Sequence, residues 1–321
     1  YTPTAAEAGT VDLNLDGAAG TDFTVTFVDL EPVDLTDMLV VTINGSANTD
    51  TIALDNETSI GGEDAIQISG TVDGFTMETA FIRDAGTLNI LTAAGDDTLT
   101  INGATNAHNV TNLTLNTGTD TDSIAVAGSA TVSGTMILTT TGSIADSGAG
   151  GTLSADSLKL DSGNGVGTSG NVIDTAVTTL SAQASTSGGV FVTETDGLTI
   201  GTVDSLIGLT STNGEVFLAL TNGTLTVNEQ VSAAGATNDV CLDVNGAGDD
   251  DDIVLASNGN ISAADQVELR ASRDITQATS TITVSATSLS MIAGRDIGTA
   301  SGDAAIDTNV TTLAASAGNA A

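Results

Sequence analysis

Short runs in which every second residue is apolar recur along the chain, separated by clusters of Gly, Asn, Asp, Ser and Thr. Such alternation marks strands with one face buried and one open. Val41-Thr-Ile43, Ile52-Ala-Leu54, Ile66-Gln-Ile68, Leu88-Asn-Ile90, Leu99-Thr-Ile101, Leu113-Thr-Leu115 and Ile124-Ala-Val126 carry it early in the chain. Leu198-Thr-Ile200, Val216-Phe-Leu218, Leu225-Thr-Val227, Leu242-Asp-Val244 and Ile253-Val-Leu255 carry it later. The runs also keep a long beat. Leu269, Met291 and Leu313 lie 22 residues apart, as do Val267 and Leu289, and Ile275 and Ile297. Ile66 to Leu88 and Ile68 to Ile90 repeat that step, while Ile43 to Ile66 and Ile101 to Ile124 are 23 apart. A fixed period of this size means one supersecondary unit stacked many times. Short strands broken by turn residues make that unit one coil of a β-solenoid.

The predicted fold is all-β, a parallel β-helix of about 22 residues per coil and therefore about 14 coils. Right-handed coiling is expected, because crossovers between parallel strands take that hand. Gly, Asn and Asp are placed at the corners, where positive φ is needed.

Three stretches differ in texture. Residues 1–37 hold both prolines, Pro3 and Pro32, and the alternating run Phe23-Thr-Val-Thr-Phe-Val28. They read as an N-terminal cap or connector, folding back on the first coil or adding a strand to a neighbour. Residues 38–130 are coils with acidic turns, such as Asn48-Thr-Asp-Thr-Ile52, Gly95-Asp-Asp-Thr-Leu99 and Asp120-Thr-Asp-Ser-Ile124. Residues 131–321 are Ala/Ser/Gly-rich coils with an internal duplication. Its copies contain Ile173-Asp-Thr175 and Ile306-Asp-Thr308, 133 residues apart.

Composition sharpens this picture. With 40% hydrophobic but only 2% aromatic residues and no Trp, the chain can build a thin core of small and branched side chains. It lacks the aromatics that usually line an enzyme pocket. The balance of 41 acidic against 5 basic residues gives a formal charge of −36. That field disfavours nucleic acid and anionic membranes and favours cations. No apolar stretch approaches the roughly 20 residues of a membrane span. Cys241 is the only cysteine, so no internal disulfide forms, and its parity places it beside Asp243, away from the core. The start at Tyr1 fits a processed secreted protein or a segment of a longer one.

Two groups of residues bear on chemistry. Asp249, Asp250, Asp251 and Asp252, and Asp96 with Asp97, follow glycine turns and are candidate Ca²⁺ ligands. Against that, the turns are isolated rather than tandem, and plain structural turns explain the same text. Arg273-Asp274 and Arg295-Asp296 have the residue types of polysaccharide-cleaving β-helices, but they repeat with the period. Repetition points to a charge ladder instead of one catalytic site, so no catalytic residue and no required cofactor are assigned.

The run Gly259-Asn-Ile-Ser-Ala-Ala-Asp-Gln-Val-Glu-Leu-Arg-Ala-Ser-Arg-Asp-Ile275 resembles the coils of filamentous-haemagglutinin-type surface proteins. Val41-Thr-Ile-Asn-Gly-Ser-Ala-Asn-Thr-Asp-Thr-Ile52 and Gly95-Asp-Asp-Thr-Leu-Thr-Ile101 resemble giant acidic repeat-rich bacterial surface proteins. The resemblance implies a secreted, cell-surface protein of a filament, sheath or surface layer. The expected partners are identical subunits, head to tail or side by side, and divalent cations. An adhesin or passenger segment that binds a surface glycan is the alternative, and a β-helical carbohydrate-active enzyme a third.

Overall fold

The computed structural model describes residues 32–105, 108–148, 150–248, 250–279, 281–298 and 305–318, and the backbone of three earlier strands. Those are β1 (Thr2–Ala5), β2 (Ala8–Leu13) and β3 (Phe23–Val28), joined antiparallel in that order. The expected strand at Phe23–Val28 is thus present, paired with β2. The described residues contain no α-helix, and all the extended structure is strand. They form a β-solenoid whose coils lie about 24 residues apart, about nine in all. The chain divides into two compact units, 1–155 and 156–321.

In the first unit, β4 (Val33–Thr36), β5 (Val40–Asn44) and β6 (Thr51–Thr58) precede the regular coils. β5 stacks in parallel on Thr87–Leu91, then Asn112–Asn116, then Thr135–Thr140, so that Val41, Leu88, Leu113 and Met136 form one buried row. A second face stacks Ile52, Leu99, Ile124 and Ile144. A third, very short face brings together Ala104, Ala130 and Leu153. Alternation in the sequence becomes alternation of inward apolar and outward polar side chains on every face.

The structure corrects the strict 22-residue period. Leu88 to Leu113 is a step of 25 residues, and Leu113 to Met136 one of 23. Leu99 pairs with Ile124 and Ile101 with Val126, so Ile101 and Ile124 are not partners. Ile43 sits on Ile90, 47 residues on, because a hairpin is inserted. It comprises β7 (Asp64–Val72), β8 (Phe75–Thr76) and β9 (Ala80–Arg83). β7 runs antiparallel along all of β6, from Thr51–Thr71 to Thr58–Asp64, and β9 returns antiparallel on β7. Ile66 therefore faces Asn56 and Ile82, not Leu88. Gly70, with φ of +145°, lets β7 approach the Thr51 carbonyl, which a Cβ would overlap. Parallel β4 closes this sheet outside β9.

In the second unit, Val192, Leu218, Leu242, Leu269, Met291 and Ala315 form one inward row. Val190, Val216, Val240, Val267, Leu289 and Leu313 form the next. Leu269 and Met291 are stacked as expected. Leu313 is not in their row: it follows Leu289 after 24 residues, and it is 52% exposed. Only strand residues must keep register, so the corners absorb extra residues and the period drifts. Steps from 19 to 30 residues result, as from Ile173 to Val192 and from Val231 to Ile261. Wider coils, the inserted hairpin and the separate β1–β3 sheet reduce the expected 14 coils to about nine.

Candidate functional site

The acidic turns fall into two geometries, separated by one residue of parity. In the first unit Asp50, Asp97 and Asp122 stand two places before Ile52, Leu99 and Ile124. They share the inward parity of those residues and are buried, at 0%, 1% and 4% exposure. Each carboxylate serves as a cap for a neighbouring coil. The backbone N–H of Asp50 donates to Asp97 Oδ1 at 2.8 Å, and that of Asp97 to Asp122 Oδ1 at 3.0 Å. Asp50 itself accepts from the Ser46 N–H and hydroxyl and from the Asp73 N–H. Thr117 and Thr141 hydroxyls donate to Asp122 Oδ2 at 3.1 and 3.0 Å. The ladder ends at Gly142, in the next coil, where any Cβ would overlap the Asp122 carbonyl. Burial raises the Asp97 carboxyl above its ordinary range, and the carboxylates of Asp50 and Asp122 push it the same way.

In the second unit Asp252, Asp274 and Asp296 stand one place before Ile253, Ile275 and Ile297. Their parity turns them to the corner, where Asp252 is half-buried, Asp274 buried and Asp296 exposed. Here the N–H of Asp274 donates to Asp252 Oδ1, and that of Asp296 to Asp274 Oδ1, both at 3.0 Å. Arg295 clasps Asp274 through Nε, at 2.9 Å, and Nη2, and Arg273 lies 3.7 Å from Asp252. Burial alone would raise the Asp274 carboxyl. The Arg295 hydrogen bonds, the Asp296 N–H and both guanidinium charges outweigh it and hold the group low. Arg273-Asp274 and Arg295-Asp296 thus make the charge ladder expected from their repetition.

The candidate calcium ligands are dispersed over separate tasks. Asp97 is an inward cap, while Asp96 faces the other way and accepts the Thr121 N–H at 3.1 Å. Asp251 is fully buried and takes the N–H groups of Gly223, at 2.8 Å, and Gly248, at 2.5 Å. Asp252 belongs to the arginine ladder, Asp250 is exposed, and Asp249 lies outside the described residues. Among the described residues no three His, Cys, Asp or Glu side chains are grouped so as to hold a metal ion.

Two features escape a reading of composition and period. Glu194 is fully buried, at the end of an inward row, and receives the N–H groups of Val177 and Thr195 and the Thr175 hydroxyl. Burial raises its carboxyl. All five cationic side chains, Arg83, Lys159, Arg270, Arg273 and Arg295, lie within 4 Å of a carboxylate. Spacing was a usable signal for Asp50 and Asp122, which repeat the Asp-Thr/Ser-apolar text of Asp97. For Glu194 the usable signal was parity, since it alternates with Val190 and Val192 on the inward side of one strand.

An apolar patch lies on the outward face of the second unit. Phe191 and Phe217 stack in register on neighbouring coils, and Cys241 follows in the same row. Beside them a groove of about 150 Å³ is lined by Glu215, Phe217, Asp239, Cys241, Gln266 and Glu268. Burial, then the charges of Glu268 and Asp243, push the Cys241 thiol up to about 11, which suppresses the nucleophilic thiolate. The chain matches no protein-family model, no curated protein and no solved structure.

Proposed function

We propose that the chain is an extracellular structural protein, a β-solenoid subunit or segment of a filament, sheath or surface layer that grows by self-association. The observation that carries this reading is the contrast between two strand edges. β4 is four residues long and carries Asp34, paired to Arg83 at 3.7 Å, so it is a short, charged, defended edge. Thr308–Ala317 is ten residues long, without charge or proline, and pairs with Val284–Ala293 along one side only among the described residues. It exposes the inward row residue Leu313. In a chain of charge −36, lateral contact between copies is repelled, whereas this uncharged edge, unpaired on one side among the described residues, can hydrogen-bond a further strand. The partner is a second copy, and divalent cations would ease lateral packing of the acidic faces.

Sedimentation velocity and negative-stain microscopy of the 321-residue chain test this, beside Ala315→Glu, which places a charge in the open row. Concentration-dependent linear assembly, lost in Ala315→Glu with unchanged circular dichroism, is expected. A wild-type chain that stays monomeric at millimolar concentration and physiological salt refutes the reading. The second reading, an adhesin or passenger segment binding a surface glycan, is favoured by the Phe191–Phe217 platform beside its groove, since sugar faces stack on aromatic rings. Glycan-array binding lost in Phe217→Ala supports it.

A further inference from the structure

The buried aspartate ladder of the first unit contains one atom that nothing satisfies. Asp97 Oδ1 accepts the Asp50 N–H, but Asp97 Oδ2 is buried and has no hydrogen-bond partner. An ionised carboxylate oxygen left in this way is costly, because it has lost water and gained no donor. The groups around it do not supply one. The Thr92 hydroxyl gives its single proton to the Thr117 carbonyl oxygen at 2.8 Å and none to Asp97 Oδ2.

The charges facing the site all have one sign. Asp50 and Asp122 flank it on the adjoining coils. Asp73, in the turn after β7, donates its N–H to Asp50 and turns its carboxylate to Asn48. Asp96 accepts from Thr121 and Asp120 from the Gly95 N–H. The five cationic side chains are paired elsewhere, and His108 is bonded to Asn56.

We propose that Asp97 is held in the folded protein as the neutral acid. The first unit then takes up a proton as it folds and tightens on acidification. The proton replaces a buried anionic oxygen that has no donor with a neutral hydroxyl. It also removes the central charge from three stacked aspartates, while Asp97 Oδ1 continues to accept from Asp50. The sign follows: an acid whose folded value is raised adds stability fully present below its unfolded value. That contribution is lost as pH rises through the folded value.

The test is Asp97→Asn, an isostere of the neutral acid. Hydrogen exchange of peptides spanning 46–58 and 95–102 is followed by mass spectrometry from pH 4 to 8 in chelator, corrected for intrinsic exchange. Protection in Asp97→Asn should match wild type near pH 4. Above that it should exceed wild type by up to tenfold per pH unit, levelling off once the folded Asp97 value is passed. A variant less protected than wild type at every pH, or a difference independent of pH, overturns the proposal. Carboxyl ¹³C NMR of the wild type gives a second readout that needs no variant. An Asp97 resonance that titrates at or below the ordinary aspartate value, about 3.9, overturns it equally. So does protection that rises on adding Ca²⁺ and that Asp97→Asn abolishes, since Asp97 would then be a cation ligand.

Discussion

Replacing Leu242 by Ala should destabilise the second unit several times more than replacing Leu313 by Ala, although both residues occupy inward rows of the same stack. Leu242 lies between Leu218 and Leu269 and is fully buried. Truncation there removes its transfer free energy and leaves a cavity that two flanking coils cannot close, a loss of about 3–4 kcal/mol. Among the described residues Leu313 contacts a coil on one side only, and it retains 52% exposure. Half of the roughly 1.5–3 kcal/mol for burying a leucine is at stake, with no cavity term, giving about 1 kcal/mol. Nearest-neighbour coupling adds to the contrast, because an inner coil has two interfaces to lose. Urea denaturation of dilute protein by far-ultraviolet circular dichroism measures both. Equal losses would refute the reasoning, since they would mean that Leu313 is covered in the dilute chain. Repeating the series at high concentration adds a check: if the open edge takes up a second copy, the cost of Leu313→Ala grows with concentration.

Glu194→Ala strands the N–H groups of Val177 and Thr195 in a dry corner and should cost about 3 kcal/mol in the same assay, with Glu194→Gln milder; equal, negligible effects would contradict its role as a corner cap. Asp274 behaves oppositely to Asp97 in acid. Its lowered folded value means its contribution is present above the unfolded value, about 3.9, and is lost as pH falls through the folded one. Arg295→Gln should move the Asp274 carboxyl resonance to titrate at higher pH and shrink the acid loss; an unchanged titration curve rules out the clasp as its cause. Cys241, pushed to about 11, should alkylate with iodoacetamide at pH 8 on the order of 100-fold more slowly than an unfolded cysteine, and Glu268→Gln should speed it; a rate equal to that of the denatured chain would show the thiol is not suppressed.

The sequence by itself determined the strands, their inward faces and the stacking of coils, because alternation with period two is a local property that survives in the text. Val240, Leu242 and Val244 are buried and Cys241 and Asp243 half-exposed, as parity alone requires. The arginine–aspartate ladder was legible for a similar reason, since Arg273-Asp274 and Arg295-Asp296 repeat at a step the coils do keep. Tertiary structure decided the register. Corners of variable length absorb residues at little cost, so Leu313 lands on Leu289 and not on Met291. It decided the topology of 64–83 as well: β7 alternates like any coil strand, and only its antiparallel pairing to β6 makes it an edge cover. It also decided what each carboxylate does. Asp97 and Asp274 look alike in the text, but one residue of offset from the next apolar position turns the first into a dry core and the second toward arginine. Burial raises both carboxyls, but the neighbouring charges act on them with opposite sign, and neither effect is visible until the coils are stacked.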